Sequence, residues 1–167
     1  VSGLEANGRL SGGGGNDIIG FSLSSSALLQ ASTISIDAGD GNDTFNLGSQ
    51  FGDLTISGGQ GSDIYNLAPS NDGGLKIADF QAGDGGDVIN VGSFISHPFF
   101  AFFGGVNPFE ADGGFLKLIQ SNDDAVIQIR YSANGSWINF LTLKNIDAPT
   151  LSAFNFGGRF NPDGSIT

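Results

Sequence analysis

The sequence predicts an all-β fold: a parallel β-solenoid over residues 1–91, capped by a C-terminal antiparallel β meander within residues 92–167. Three observations point there. A Gly-rich turn closed by Asp recurs four times, as Gly12-Gly13-Gly14-Gly15-Asn16-Asp17, Ala38-Gly39-Asp40-Gly41-Asn42-Asp43, Gly58-Gly59-Gln60-Gly61-Ser62-Asp63 and Ala82-Gly83-Asp84-Gly85-Gly86-Asp87. Each is followed at once by a short apolar run, and three of these runs alternate as a strand does: Thr44-Phe45-Asn46-Leu47, Ile64-Tyr65-Asn66-Leu67 and Val88-Ile89-Asn90-Val91. The third observation is the spacing. Closing Asp residues lie 26, 20 and 24 positions apart, and the Ile residues at 36, 56 and 77 lie 20 and 21 apart.

The elements follow in order. Ile34-Ser35-Ile36, Leu54-Thr55-Ile56 and Leu75-Lys76-Ile77 stand ahead of the turns as strands, with apolar side chains on one face. Two short strands and two turns in about twenty residues make one solenoid coil. Residues 22–32 read as an insertion that lengthens the first coil. The opposite turns, Gln50-Phe51-Gly52-Asp53 and Asn71-Asp72-Gly73-Gly74, keep Gly and Asp but lose the pattern, so they read as ordinary turns. After Val91 the grammar changes. Residues 94–103 (FISHPFFAFF) are aromatic and contain Pro, and three alternating runs follow at 115–120, 125–131 and 137–143. Asn122-Asp123 and Asn134-Gly135 separate these runs, and Asn-Gly between alternating segments signals a hairpin. Such a meander suits the apolar end of a solenoid. Only residues 26–31 and 149–154 have room for a short helix.

Composition agrees with a folded, acidic chain. The 167 residues include 28 Gly, and 15 Phe argue against disorder despite that Gly content. Six basic residues face 17 acidic ones, for a net charge of −11, and 15 of the acids are Asp. Nine of those Asp fall between Asp37 and Asp87, which concentrates negative charge in the repeats. Nucleic acid and anionic membranes are poor partners for such a surface. The absence of Cys excludes a disulfide framework and a thiolate zinc site. A structural metal is the remaining staple. No apolar stretch is long enough for a membrane span, and the start (Val1-Ser2-Gly3) does not read as a signal peptide. Without an initiator Met, the chain reads as the tail of something longer.

The repeated turns carry the chemistry. Stacked parallel strands lie about 4.7–4.9 Å apart. Calcium–oxygen distances are about 2.3–2.6 Å, so an ion midway between two turns matches the stacking distance. Gly permits positive φ and turns peptide carbonyls toward the ion; the closing Asp adds hard anionic oxygen. Without a cation, carboxylates about 5 Å apart repel by roughly 1–3 kcal/mol per pair. The pattern is not an EF-hand, because Asp37, Asp40 and Asp43 are spaced by three. There is no phosphate-loop Gly-Lys-Ser/Thr, no Gly-x-Ser-x-Gly elbow and no His-Glu-x-x-His. The single His97, before Pro98, reads as structural. No catalysis is expected within these residues.

The Gly/Ala-Gly-x-Gly-x-Asp turns make residues 11–91 resemble the RTX nonapeptide repeat, a calcium-binding β-roll. The rest resembles the C-terminal target domain of type I-secreted bacterial proteins. Three stretches carry this second likeness: residues 77–89 (IADFQAGDGGDVI); the lead from Asn107-Pro108-Phe109 to Gln120; and Leu141-Thr142-Leu143-Lys144-Asn145-Ile146 with Leu151-Ser152-Ala153-Phe154-Asn155-Phe156. The resemblance implies calcium-coupled folding outside a Gram-negative cell, an uncleaved C-terminal export signal and a type I exporter as partner. It implies turn carbonyls and closing Asp as ligands: Gly12, Gly13, Gly15 and Asp17; Ala38, Gly39, Asp40, Gly41 and Asp43; Gly58, Gly59, Gly61 and Asp63; Ala82, Gly83, Asp84, Gly85 and Asp87. About two to three Ca²⁺ ions are expected on this one edge. Ala in place of the first Gly in two repeats, and the irregular spacing, depart from the pattern.

The expected function is thus a non-catalytic, secreted, monomeric calcium-binding module. Two alternatives stand beside it. One is the ligand-binding or surface-anchoring domain of an adhesin, with Phe99, Phe100, Phe102, Phe103 and Trp137 as contacts to a carbohydrate or cell-surface ligand. The other is the tail of a secreted protease, lipase or polysaccharide-modifying enzyme.

Overall fold

The structure is a computed structural model and describes residues 8–22, 33–48, 53–68, 74–95, 107–110, 113–158 and 160–165. Of the expected insertion at 22–32, residues 23–32 with the helix at 26–31 lie outside the described residues, as do positions 50–52 and 71–73 of the degenerate turns at 50–53 and 71–74, and His97 with Phe99, Phe100, Phe102 and Phe103.

Period-two alternation becomes two sheets. The larger contains β1 (Gly8–Gly14), β3 (Thr33–Asp40), β5 (Asp53–Gln60) and β7 (Leu75–Ile77), followed by β11 (Ile138–Leu143), β10 (Asp124–Ile129) and β9 (Leu116–Ser121), paired in that order. The smaller contains β2 (Ile18–Phe21), β4 (Thr44–Leu47), β6 (Ile64–Leu67) and β8 (Val88–Asn90), all parallel. Registers are regular. Ile36 sits beside Ile56 and Ile56 beside Ile77; Ile19, Phe45, Tyr65 and Ile89 form the matching row of the smaller sheet. These rows are buried and form one core, because alternate side chains of each strand point inward.

The expectation of an all-β solenoid closed by a separate meander is corrected by this topology. The architecture is mixed and α/β-like: a seven-stranded, mostly parallel mixed sheet, a four-stranded parallel sheet and a few short helices. The antiparallel strands do not lie across the end of a coil. Instead β11 pairs parallel with β7, setting Leu141 beside Leu75 and Leu143 beside Ile77, and the Lys144 amide donates to the Ile77 carbonyl at 2.9 Å. The physical reason is the edge of β7. Its unpaired amides and carbonyls need partners, and a strand added in plane satisfies them where a lid would not. The two sheets therefore differ in strand number, which a uniform coil does not produce.

Short helices complete the ends. Helix α1 (Gly92–Ile95) was not expected; it buries Phe94 edge-on against Phe140 at 5.3 Å between ring centres. Two 3₁₀ turns, Ala148–Thr150 and Ala153–Phe156, occupy the second region where the sequence left room for a helix. Phe140 is 2% exposed, and truncating a buried aromatic typically costs about 3–5 kcal/mol. Phe140→Ala is expected to show that loss in urea unfolding, while Phe154→Ala, on an exposed ring, stays within about 1 kcal/mol of the parent.

Candidate metal centre

Strand registers place the four Gly-rich turns side by side at one edge. Gly13, Gly15, Gly39, Gly41, Gly59, Gly61, Gly83 and Gly85 all have positive φ, while the fourth turn also closes on itself, the Gly86 amide donating to the Gly83 carbonyl at 3.2 Å and the Asp87 amide to the Gln81 carbonyl at 2.8 Å. The first three are packed together: a Cβ on Gly59 would run into the Gly39 carbonyl, and one on Gly39 into the Gly13 carbonyl. The Gly15 amide donates to the Asp40 carbonyl at 2.7 Å and the Gly41 amide to the Gln60 carbonyl at 2.8 Å. On the outside, Asn42 N–H donates to Asn16 Oδ1 and Ser62 N–H to Asn42 Oδ1, both at 2.9 Å.

The closing carboxylates form an inner ladder. Asp43 Oδ1 accepts the Asp17 amide at 2.7 Å, Asp63 Oδ1 accepts the Asp43 amide at 2.8 Å, and Asp87 Oδ1 accepts the Asp63 amide at 2.9 Å. One oxygen of each carboxylate thus clamps the turn before it. The second oxygens behave differently. Asp17 Oδ2, Asp43 Oδ2 and Asp63 Oδ2 are buried and have no hydrogen-bond partner among the described residues. A buried anionic oxygen left in this way is destabilising unless a proton or a cation meets it. Asp87 is complete, because its Oδ2 accepts the Gln81 amide at 2.9 Å.

The remaining predicted ligands are divided. Gly12 and Gly58 lie beside the inner oxygens of Asp17 and Asp63, and the Ala38 side chain is fully buried. Ala82 is half-buried ahead of the fourth turn. Asp40 and Asp84 point outward and are exposed; Asp84 Oδ1 accepts the Ser152 hydroxyl at 2.9 Å. Among the described residues no three acidic or imidazole side chains converge on one point. A cation at the ladder would therefore draw most of its ligands from peptide carbonyls. Carboxylate and carbonyl oxygen, with no nitrogen or sulfur, suits a hard cation.

Three residues of the site were missed by sequence reading. Asp79 clamps the third turn, its two oxygens accepting the Gly58 and Gly59 amides at 3.0 Å each. Its spacing of one repeat from Gly59 was the available signal. Asn155, fully buried, closes the fourth turn: its amide donates to the Asp87 carbonyl at 2.8 Å and its Oδ1 accepts the Gly83 amide at 3.0 Å. Tyr65 is stacked on Phe45 at 4.9 Å, with its hydroxyl buried near the ladder. Trp137 carries the Arg130 guanidinium 4.8 Å from its ring centre and Lys117 Nζ at 5.9 Å.

Electrostatics at the ladder has a definite sign. Burial raises the Asp63 carboxyl above its ordinary range; the Asp43 amide opposes this, and the charges of Asp43 and Asp79 add to it. Asp87 is pushed up to about 6, again chiefly by burial, against the amides of Asp63 and Gln81. A raised folded-state value favours the protonated folded form. Its stabilising contribution is full below about pH 4 and is lost as pH rises through about 6. In chelator, the residual β content seen by circular dichroism is accordingly expected to be higher at pH 5 than at pH 7.5. An opposite slope would show that the ladder carboxylates are not strained by burial.

Substitution separates this edge from the opposite one. Asp63→Ala removes both the clamp on Asp43 and an inner oxygen, whereas Asp53 is exposed and makes a 3.2 Å surface pair with Lys76. Calorimetric titration with Ca²⁺ is expected to show fewer or weaker sites for Asp63→Ala and parental binding for Asp53→Ala. Equal behaviour of the two variants would move the site off this edge.

Among the described residues no helix is long and apolar enough to cross a membrane. No protein-family model matches the chain, and no curated protein matches it.

Proposed function

We propose that this chain is a non-catalytic calcium-binding module of RTX type that folds when Ca²⁺ fills the stacked turns. The reading rests on one observation above all: three successive motif-closing Asp residues each hold a buried carboxylate oxygen with no partner among the described residues. A row of calcium ions, about two or three, neutralises those oxygens and takes its other ligands from turn carbonyls. Binding free energy of this kind is folding free energy, because the turns do not exist as sites in the unfolded chain.

The cellular setting rests on the sequence resemblance. A C-terminal module of a larger secreted bacterial protein would stay open in the cytosol, where calcium is scarce, pass a type I exporter, and close outside. Binding near 10⁻⁴–10⁻³ M, typical of extracellular modules, is about right for such a switch.

Circular dichroism tests the reading directly. A largely unordered spectrum is expected in chelator and a β-rich one in millimolar Ca²⁺. Mg²⁺ is expected to substitute poorly, since it needs a small octahedral cage and keeps its water. A β-rich spectrum that chelator leaves untouched would falsify the proposal.

A further inference from the structure

Tyr65 breaks the pattern of its own row. Registered with it are Ile19, Phe45 and Ile89, none of which carries a polar side-chain atom. Its side chain is fully buried, and its hydroxyl has no hydrogen-bond partner among the described residues. That hydroxyl and Asp63 Oδ2 lie against the same point, the space a methyl on Gly58 would fill. Two buried oxygens, one a donor and one an anionic acceptor, thus face one small volume.

The neighbouring repeat shows what a purely apolar solution looks like there. The residue flanked by Asp37 and Gly39, aligned with Ser57 and Gly59, is Ala38, and its row partner is Phe45. The equivalent positions in that repeat are held by a buried Ala and a buried Phe; in the next, by Gly58 and a phenol. If the volume only needed filling, the Ala and Phe pair would serve. Burying a hydroxyl instead is destabilising unless it donates to something.

We infer that Tyr65 is a positioning residue for the Asp63 carboxylate: its hydroxyl, unbonded to that oxygen in this structure, is placed to donate to it when a cation draws the carboxylate into position, which makes the turn at residues 58–63 the tightest cation site of the stack. The inference rests on the proposed calcium reading and deepens it. A donor behind a ligating carboxylate fixes its orientation, and loss of such a partner typically lowers metal affinity about 10–100-fold. The phenol remains protonated at neutral pH and can act as that donor.

The test is calorimetric titration with Ca²⁺ of the parent, Tyr65→Phe, and the double variant Gly58→Ala/Tyr65→Phe, which recreates the Ala38 and Phe45 arrangement. Tyrosine difference absorbance is recorded in parallel on Tyr131→Phe, where Tyr65 is the remaining phenol. One site is expected to weaken about 10-fold in both the single and the double variant, with the others unchanged. Calcium should also shift the phenol absorbance in Tyr131→Phe. Parental affinity in Tyr65→Phe would overturn the inference while leaving calcium binding intact. A parent that takes up no calcium would instead remove the functional reading, and this one with it.

Discussion

Gly59→Ala is expected to lose about 3 kcal/mol or more in calcium-saturated urea unfolding, several times the loss for Gly83→Ala. Both positions have positive φ, +96° and +90°, so both variants carry the backbone strain of an L side chain there, about 1–2 kcal/mol. The difference is packing. A methyl at 59 runs into the Gly39 carbonyl, whereas a methyl at 83 has nothing within 4 Å. The Gly39 carbonyl belongs to the backbone of a packed turn and cannot swing aside. Domains hold only about 5–15 kcal/mol in reserve, so the 59 variant approaches the folding threshold. Equal losses at the two positions would show that the turns are not in direct contact.

Removal of residues 115–167 is expected to leave a chain that aggregates or stays unordered even in saturating calcium. The deletion takes away Leu116, Ile127, Ile129, Phe140, Leu141 and Leu143, each at most 2% exposed. Buried side chains of this size contribute about 1.5–3 kcal/mol each, so the loss is about 10 kcal/mol or more. It also strips β11 from β7, reopening a parallel edge beside the buried Leu75 and Ile77. Exposed edges of that kind recruit other chains. Soluble yield and circular dichroism decide the matter: a soluble truncated chain with the parental calcium response would show that the repeats do not depend on β11.

These expectations also show where the sequence was legible. Strands β3 to β6 and the turns between them could be read because their signals are local: alternation over four to eight residues and Gly at positions that require positive φ. The buried closing carboxylates at 43, 63 and 87 follow from the same repeat. The place of β11 was not legible. Its own pattern announces a strand, but nothing in residues 138–143 specifies β7, more than sixty positions away, as a parallel neighbour. That choice is made by an edge which needs hydrogen bonds, a property of the assembled sheet. Asn155 was hidden for a similar reason, since one Asn in an aromatic stretch looks like a turn residue until the Gly83 backbone is beside it. Tyr65 was read as one more apolar strand position, because alternation does not distinguish a phenol from a phenyl ring.

Asn155 also gives the array a direction. The fourth turn meets the third on one side, through the Asp63 amide on Asp87 Oδ1, and on the other meets a side-chain amide that bonds its backbone at both the Gly83 and Asp87 positions. Because Asn155 matches that one backbone shape, it works as a fixed bookend whatever the number of turns ahead of it. Duplication of a whole unit between the first and third turns lengthens the row without disturbing this end. Insertions ahead of residue 82 are therefore expected to leave this end intact, while insertions after it that separate Asp87 from Asn155 are expected to unseat it.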